Sequence, residues 1–90
     1  MAAVVVYSAG YCAYCDRAKA LLERKAVAFT EIMVDEAPQQ RTEMERRSGR
    51  RTVPQIFIGD THVGGFDEIY RLEREGKLDA LLADGTTDGR

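Results

Sequence analysis

Apolar residues recur along the chain with two different spacings, and the switches between them lay out the elements. Val4 to Tyr7 is an unbroken apolar, β-branched run, the pattern of a buried strand. Ser8-Ala9-Gly10 interrupts it. From about Ala13 to Lys25 the residues are good helix formers. Cys15, Ala18 and Leu22 fall at i, i+3 and i+7 with Leu21 alongside, while Arg17, Lys19, Glu23 and Arg24 take the opposite side. Val27 to Val34 carries Val27, Phe29, Ile32 and Val34 in loose alternation and predicts a second strand. A helix between two strands implies a βαβ unit with a right-handed crossover.

The second half follows the same logic. Asp35 and Glu36 precede Ala37-Pro38, and acid and proline are both helix-start signals. That helix runs to about Ser48, with Gly49 as its stop and Met44 as its one large apolar residue. Thr52-Val53-Pro54 leads into a third strand, Gln55 to Ile58, where a proline ahead of the strand removes no interior ladder bond. Gly59-Asp60 predicts a two-residue type II′ turn, and Thr61 to Val63 pairs back as a fourth strand. A third helix spans about Asp67 to Glu75, with Ile69 and Leu72 inward and Gly76 as its stop. A short helical piece, Leu78 to Ala83, follows. The order β-α-β-α-β-β-α predicts an α/β domain over residues 1–83, with a mixed four-stranded sheet and helices on both faces. Asp84 to Arg90 has nothing to bury and is expected to be a disordered tail.

Ninety residues make one domain. With 15 acidic and 13 basic residues the chain lacks the basic excess of a general nucleic-acid binder, so no nucleic-acid partner is expected. No stretch approaches the ~18 apolar residues of a membrane span, which argues against a membrane partner. Met1 to Tyr7 has no basic lead and only a short apolar run, unlike a signal peptide, so the expected location is cytoplasmic.

The two cysteines, Cys12 and Cys15, change the picture most. In a reducing compartment this spacing is either a redox dithiol or half of a metal site. A structural zinc site needs four ligands. The chain offers two cysteines and one histidine, His62, which reads as an exposed hairpin residue, so no metal site is expected. Cys15 alone fits the role of an inert core residue. Cys12, between Gly10-Tyr11 and Ala13-Tyr14, does not, because it sits where a loop becomes a helix. Unpaired N–H groups and the positive end of the backbone dipole favour a thiolate there. A thiolate is the form that attacks a disulfide. Cys15, one turn on, is placed to resolve the mixed disulfide formed at Cys12. Arg41, Arg46, Arg47, Arg50 and Arg51 stand against Glu43 and Glu45. They read mostly as a solvated face, one that also draws small anions.

These residues resemble a glutaredoxin of the small dithiol type. The resemblance covers about residues 3–83 and rests on three blocks in order: Cys12-Ala13-Tyr14-Cys15, Thr52-Val53-Pro54 and Gly64-Gly65-Phe66-Asp67. It implies a thioredoxin fold and a glutathione-dependent disulfide oxidoreductase, with glutathione as co-substrate and Cys12 and Cys15 as the catalytic pair. It further implies a glutathione groove formed by Tyr14, Arg41, Thr52, Val53, Pro54, Gly65, Phe66 and Asp67. A cis bond before Pro54 would turn the Val53 backbone toward the cysteines, to pair with the cysteinyl part of glutathione like an added strand. N–H groups of the Gly65-Phe66-Asp67 turn would take the γ-glutamyl carboxylate, and Asp67 its ammonium. Arg41 matches a position that contacts the glycine carboxylate. The implied partners are disulfide-containing or glutathionylated proteins, ribonucleotide reductase being one candidate, met by a monomer.

Two positions depart from the family pattern. Ala9 stands where a lysine is common, and Ala13 where a proline is common. Some members lacking that proline hold a [2Fe–2S] cluster between two subunits, through the first cysteine and glutathione. The resemblance therefore keeps open an iron–sulfur carrier or sensor with Cys12 as cluster ligand, although Cys15 is retained and no Cys-Gly-Phe-Ser motif is present. A third reading, a thioredoxin-like reductant served by a flavoprotein reductase, fits less well with the arginine bank and the Gly65-Phe66-Asp67 turn.

Overall fold

The computed structural model of the chain describes residues 2–83, so the tail expected over 84–90 lies outside the described residues. The elements are β1 (Val4–Ser8), α1 (Ala13–Arg24), β2 (Thr30–Met33), α2 (Pro38–Ser48), β3 (Gln55–Ile58), β4 (Thr61–Gly64), α3 (Phe66–Arg74) and α4 (Leu78–Ala83). They form one sheet in the order β2-β1-β3-β4. β1 runs parallel to β2 and antiparallel to β3, with Val6 opposite both Glu31 and Ile56. β4 returns antiparallel to β3 through a turn whose Gly59 has φ 59°, as the predicted hairpin type requires. The mixed sheet with helices on both faces stands as expected.

Strand alternation divides β1 between two cores. Val4 and Val6 join Ile56, Ile58 and the α1 stripe of Ala18, Leu21 and Leu22; Ile69 of α3 and Leu78 and Leu82 of α4 close that side. Tyr7 faces the other way, with Phe57, Val34 and Met44. Met44 is the one buried residue of α2. Arg47 reinforces this thin contact: its guanidinium lies 4.1 Å over the Phe57 ring and donates to the Tyr7 hydroxyl at 3.0 Å.

Two boundaries and the role of one helix-start acid differ from expectation, each for a local reason. The second strand begins at Thr30 rather than Val27. Ala26 adopts a left-handed φ of 59° to leave α1, and the Val27 N–H turns back to the Leu22 carbonyl at 3.0 Å. Val27 therefore serves the core as part of a helix stop. Asp35 does not cap α2, whose N-cap is Ala37 with no side-chain bond. Its carboxylate instead accepts from the Gly10 N–H at 3.1 Å, tying the β2–α2 loop to the segment before Cys12. α3 starts at Phe66, because Glu68 accepts from the Gly65 N–H at 2.7 Å and fixes Gly65 as N-cap. That hydrogen bond holds the Glu68 carboxyl below its ordinary range. Gly64, at φ 115°, leaves room for the same carboxylate: a Cβ there would stand 2.9 Å from Glu68 Oε1.

Candidate functional site

β1 ends against the start of α1, and this junction carries both sulfurs. Cys12 is the N-cap of α1, in extended conformation, and its Sγ takes the capping role usually given to an oxygen. It accepts from the Cys15 N–H at 3.1 Å, and the Cys12 thiol donates to the Val53 carbonyl at 3.6 Å. Both cysteines are free thiols; Cys12 is partly exposed and Cys15 fully buried. Burial, with the neighbouring Cys12 sulfur, pushes the Cys15 thiol up to about 11. At neutral pH Cys15 therefore keeps its proton, and the sulfur at the surface is that of Cys12.

An open cavity of about 220 Å³ is lined in part by Val53, whose carbonyl meets the Cys12 thiol. Its floor is the Thr52-Val53-Pro54 segment, in which the Val53–Pro54 bond is cis. One wall is the Gly65-Phe66-Asp67 start of α3 and the other is Tyr14. Seven residues expected in a groove thus come together: Tyr14, Thr52, Val53, Pro54, Gly65, Phe66 and Asp67. Tyr14 serves as both wall and packing element, since its ring stacks on Phe66 at 6.0 Å while Arg17 lies over it at 5.3 Å. Phe66 stacks in turn on Tyr70 at 5.6 Å.

Arg41 is the exception. It does not line the cavity, and its Nη1 donates to the Arg51 carbonyl at 3.1 Å, which directs it to the loop after α2. The cation on the groove is Arg50, held 3.6 Å from Glu68. Ala9, at the position where a lysine is common, is buried.

Gln55 and Glu68 also border the cavity and were not anticipated. Gln55 is fully buried; its amide nitrogen donates to the Thr52 carbonyl at 3.0 Å and hydroxyl at 3.2 Å, while its oxygen lies 2.7 Å from His62 Nε2. His62 is correspondingly half-buried rather than an exposed hairpin residue, with its ring 4.9 Å from that of Phe57. Burial and Arg50 hold its ionisation below the ordinary histidine range. A polar residue heading the apolar run Gln55-Ile56-Phe57-Ile58 was the available signal.

Among the described residues no three His, Cys, Asp or Glu side chains cluster as metal ligands. Because Cys15 is sealed beneath the helix start, a cluster shared between copies would draw on Cys12 alone from each chain. No helix among the described residues is long and apolar enough to cross a membrane. Chemically, the arrangement presents one accessible sulfur at a helix start, a second sulfur one turn behind it, and the Val53 carbonyl alongside.

Comparison with known proteins agrees with this geometry. The Glutaredoxin family pattern matches residues 4–63. A glutaredoxin of Pseudomonas aeruginosa is 57% identical over 83 residues, covering 92% of this chain and 99% of the relative. Glutaredoxin 3 of Escherichia coli is 52% identical over 82 residues, covering 91% and 99%. Among solved structures, a buckwheat glutaredoxin–glutathione complex superposes with a TM-score of 0.86 at 33% identity, over 93% of this chain and 79% of that one. The solution structure of a Brucella melitensis glutaredoxin gives 0.81 at 53% identity, over 100% and 94%.

Proposed function

Since the chain belongs to the glutaredoxin family and has its thioredoxin fold, we propose that it is a glutathione-dependent oxidoreductase of the cytoplasm, reducing glutathione mixed disulfides and protein disulfides through Cys12 and Cys15. The observation that carries the reading is the pairing of unequal sulfurs beside one groove. Cys12 is accessible at a helix start, and Cys15 is buried and protonated at neutral pH. The division of roles follows. Cys12, as thiolate, attacks one sulfur of the substrate disulfide; a new S–S bond forms at Cys12 and the other sulfur leaves, taking up a proton. With a glutathione mixed disulfide, a second glutathione then frees Cys12. With a protein disulfide, Cys15 attacks the Cys12 sulfur and releases the reduced protein, and two glutathiones reopen the Cys12–Cys15 bond.

The groove suits the tripeptide end to end. The Val53 backbone offers its edge to the cysteinyl unit. N–H groups at the start of α3 suit the γ-glutamyl carboxylate, and the exposed Asp67 its ammonium. Arg50 replaces Arg41 as the nearer cation for the glycine carboxylate.

The test is an NADPH-coupled assay with glutathione and glutathione reductase. Cys12→Ser loses turnover of both substrate kinds. Cys15→Ser retains turnover of a glutathione mixed disulfide and loses reduction of an intramolecular protein disulfide. Turnover by Cys12→Ser would remove Cys12 as nucleophile, and equal losses in Cys15→Ser would remove the division of roles. Reduction by thioredoxin reductase in place of glutathione would remove the glutathione dependence.

A further inference from the structure

The segment that delivers Cys12 to the head of α1 has little of its own to hold it. Ala9 and Gly10 carry no polar side chain, and Tyr11 is 77% exposed. Ala9 is buried and anchors one end; the two hydrogen bonds of the Cys12 sulfur anchor the other. Between them the backbone offers one turn bond, from the Cys12 N–H to the Ala9 carbonyl at 3.4 Å, longer than the usual range. The better tether comes from the end of β2. β1 and β2 pair in parallel as far as Ser8 and Met33, and the Val34 N–H then donates to the Ser8 carbonyl at 2.9 Å. The next backbone donor that points from this side toward β2 is the Gly10 N–H, two residues on. It donates to Asp35 Oδ2 at 3.1 Å, so a side chain adds one rung to the ladder. Asp35 sits in a turn closed by the Glu36 N–H on the Met33 carbonyl at 3.3 Å, which seats its carboxylate on the end of a strand. That carboxylate forms no ion pair among the described residues.

Resting on the reading of Cys12 as the attacking sulfur, we propose that Asp35 is a positioning residue for that attack: by fixing the Gly10 N–H, its carboxylate holds the Ala9–Cys12 segment so that the Cys12 sulfur stays at the head of α1. Asp35 lines no part of the cavity and bonds to neither sulfur, so it acts through the Gly10 backbone. Cys12 caps α1 from an extended conformation, φ −105° and ψ 110°, with the Cys15 N–H on its sulfur. Without the rung at Gly10, the segment before the cap gains freedom. The sulfur then spends less time in place, and attack slows in proportion. The charge of Asp35 works the other way, because a carboxylate near a thiolate disfavours it. Positioning and charge therefore predict opposite signs when the carboxylate is removed.

Two variants separate them. Asp35→Ala removes acceptor and charge together, and Asp35→Asn keeps an acceptor oxygen without the charge. Three quantities are measured on each at neutral pH: the rate at which iodoacetamide alkylates Cys12, kcat/KM for a glutathione mixed disulfide, and hydrogen exchange at the Gly10 N–H. Iodoacetamide reads Cys12 alone, because Cys15 is buried and keeps its proton. In Asp35→Ala both rates are expected to fall roughly fivefold, the worth of one modest hydrogen bond, while exchange at Gly10 accelerates. Asp35→Asn restores both rates to within about twofold of the parent. Asp35→Ser, whose hydroxyl is too short to reach Gly10, repeats the loss with a polar replacement should the alanine variant fold poorly. An unchanged alkylation rate alongside faster exchange at Gly10 overturns the proposal, since the bond then exists and positions nothing. Faster reaction in both Asp35→Ala and Asp35→Asn overturns it as well, leaving Asp35 a purely electrostatic part. So does a slowing that asparagine fails to relieve. The alkylation arm needs no glutathione, which keeps the two levels apart. Slower alkylation in a protein that never turns over the mixed disulfide strikes the glutathione reaction and leaves the role of Asp35 standing. Normal turnover by the parent with no change in Asp35→Ala strikes Asp35 alone.

Discussion

Replacing Gln55 with leucine tests how the groove floor is held. Gln55 makes three hydrogen bonds, to the Thr52 carbonyl, the Thr52 hydroxyl and His62 Nε2, from a fully buried position. Each neutral bond is worth about 1 kcal/mol, so removing all three costs about 3 kcal/mol. Leucine returns about 1 kcal/mol through apolar burial in the same volume, leaving a net loss of about 2 kcal/mol. For a domain of this size that corresponds to a melting temperature lower by about 8–16 °C. The same bonds hold Thr52, next to the Val53 carbonyl that meets Cys12. Gln55→Leu is therefore expected to raise the KM for glutathione mixed disulfides severalfold while changing kcat little. Calorimetry and the coupled assay read the two effects separately. A melting temperature within about 2 °C of the parent would refute the stability reasoning, and an unchanged KM in a destabilised variant would refute the link from Gln55 to the groove.

Two further outcomes follow from local features. Ala26→Gly is expected to stabilise the protein by about 0.5–1 kcal/mol, because the left-handed conformation costs a non-glycine residue about 1–2 kcal/mol and glycine's extra freedom returns part of it; a lower urea midpoint would contradict this. His62 gives a pH effect with a definite sign. Its folded ionisation lies below the ordinary value of 6.5, so the unfolded chain binds the proton more readily. The stability it contributes is present above pH 6.5 and is lost as pH falls through the lower folded value. Urea unfolding between pH 7.5 and 5 should show that decline, and His62→Asn should flatten it. Glu31 and Glu68, whose carboxyls are held low by Lys19 and by the Gly65 N–H, lose their contributions only at still lower pH. A slope unchanged in His62→Asn would assign the decline elsewhere.

Patterns that follow chain periodicity were readable from the sequence. The α1 stripe, the β3 run and the α2 stop at Gly49 are found where spacing put them, because burial on one face imposes a period. Pro54 and the Gly65 turn line one cavity, and the Cys12 thiol meets the Val53 carbonyl at its floor. Side-chain reach was not readable. Arg41 and Arg50 belong to the same basic bank, and only the path of the loop after α2 decides which one faces the groove. Asp35 looks like a helix-start acid, yet its partner is Gly10, brought near by the parallel pairing of β1 and β2. Glu68 is accessible in principle, since an acid three residues after an N-cap marks a helix start, but the sequence pattern starts the helix at Asp67 and the structure at Phe66.

The sheet is clothed unequally. The α1 side rests on a broad interlocked apolar layer, whereas α2 is fastened by Met44 and by Arg47 lying on Phe57. Most of α2 therefore faces water and answers to no packing constraint. Substitutions along its outer surface can alter the charge presented beside the groove without disturbing the layer that supports the sulfurs. A helix attached in this way leaves the support of the two sulfurs independent of its own outer surface.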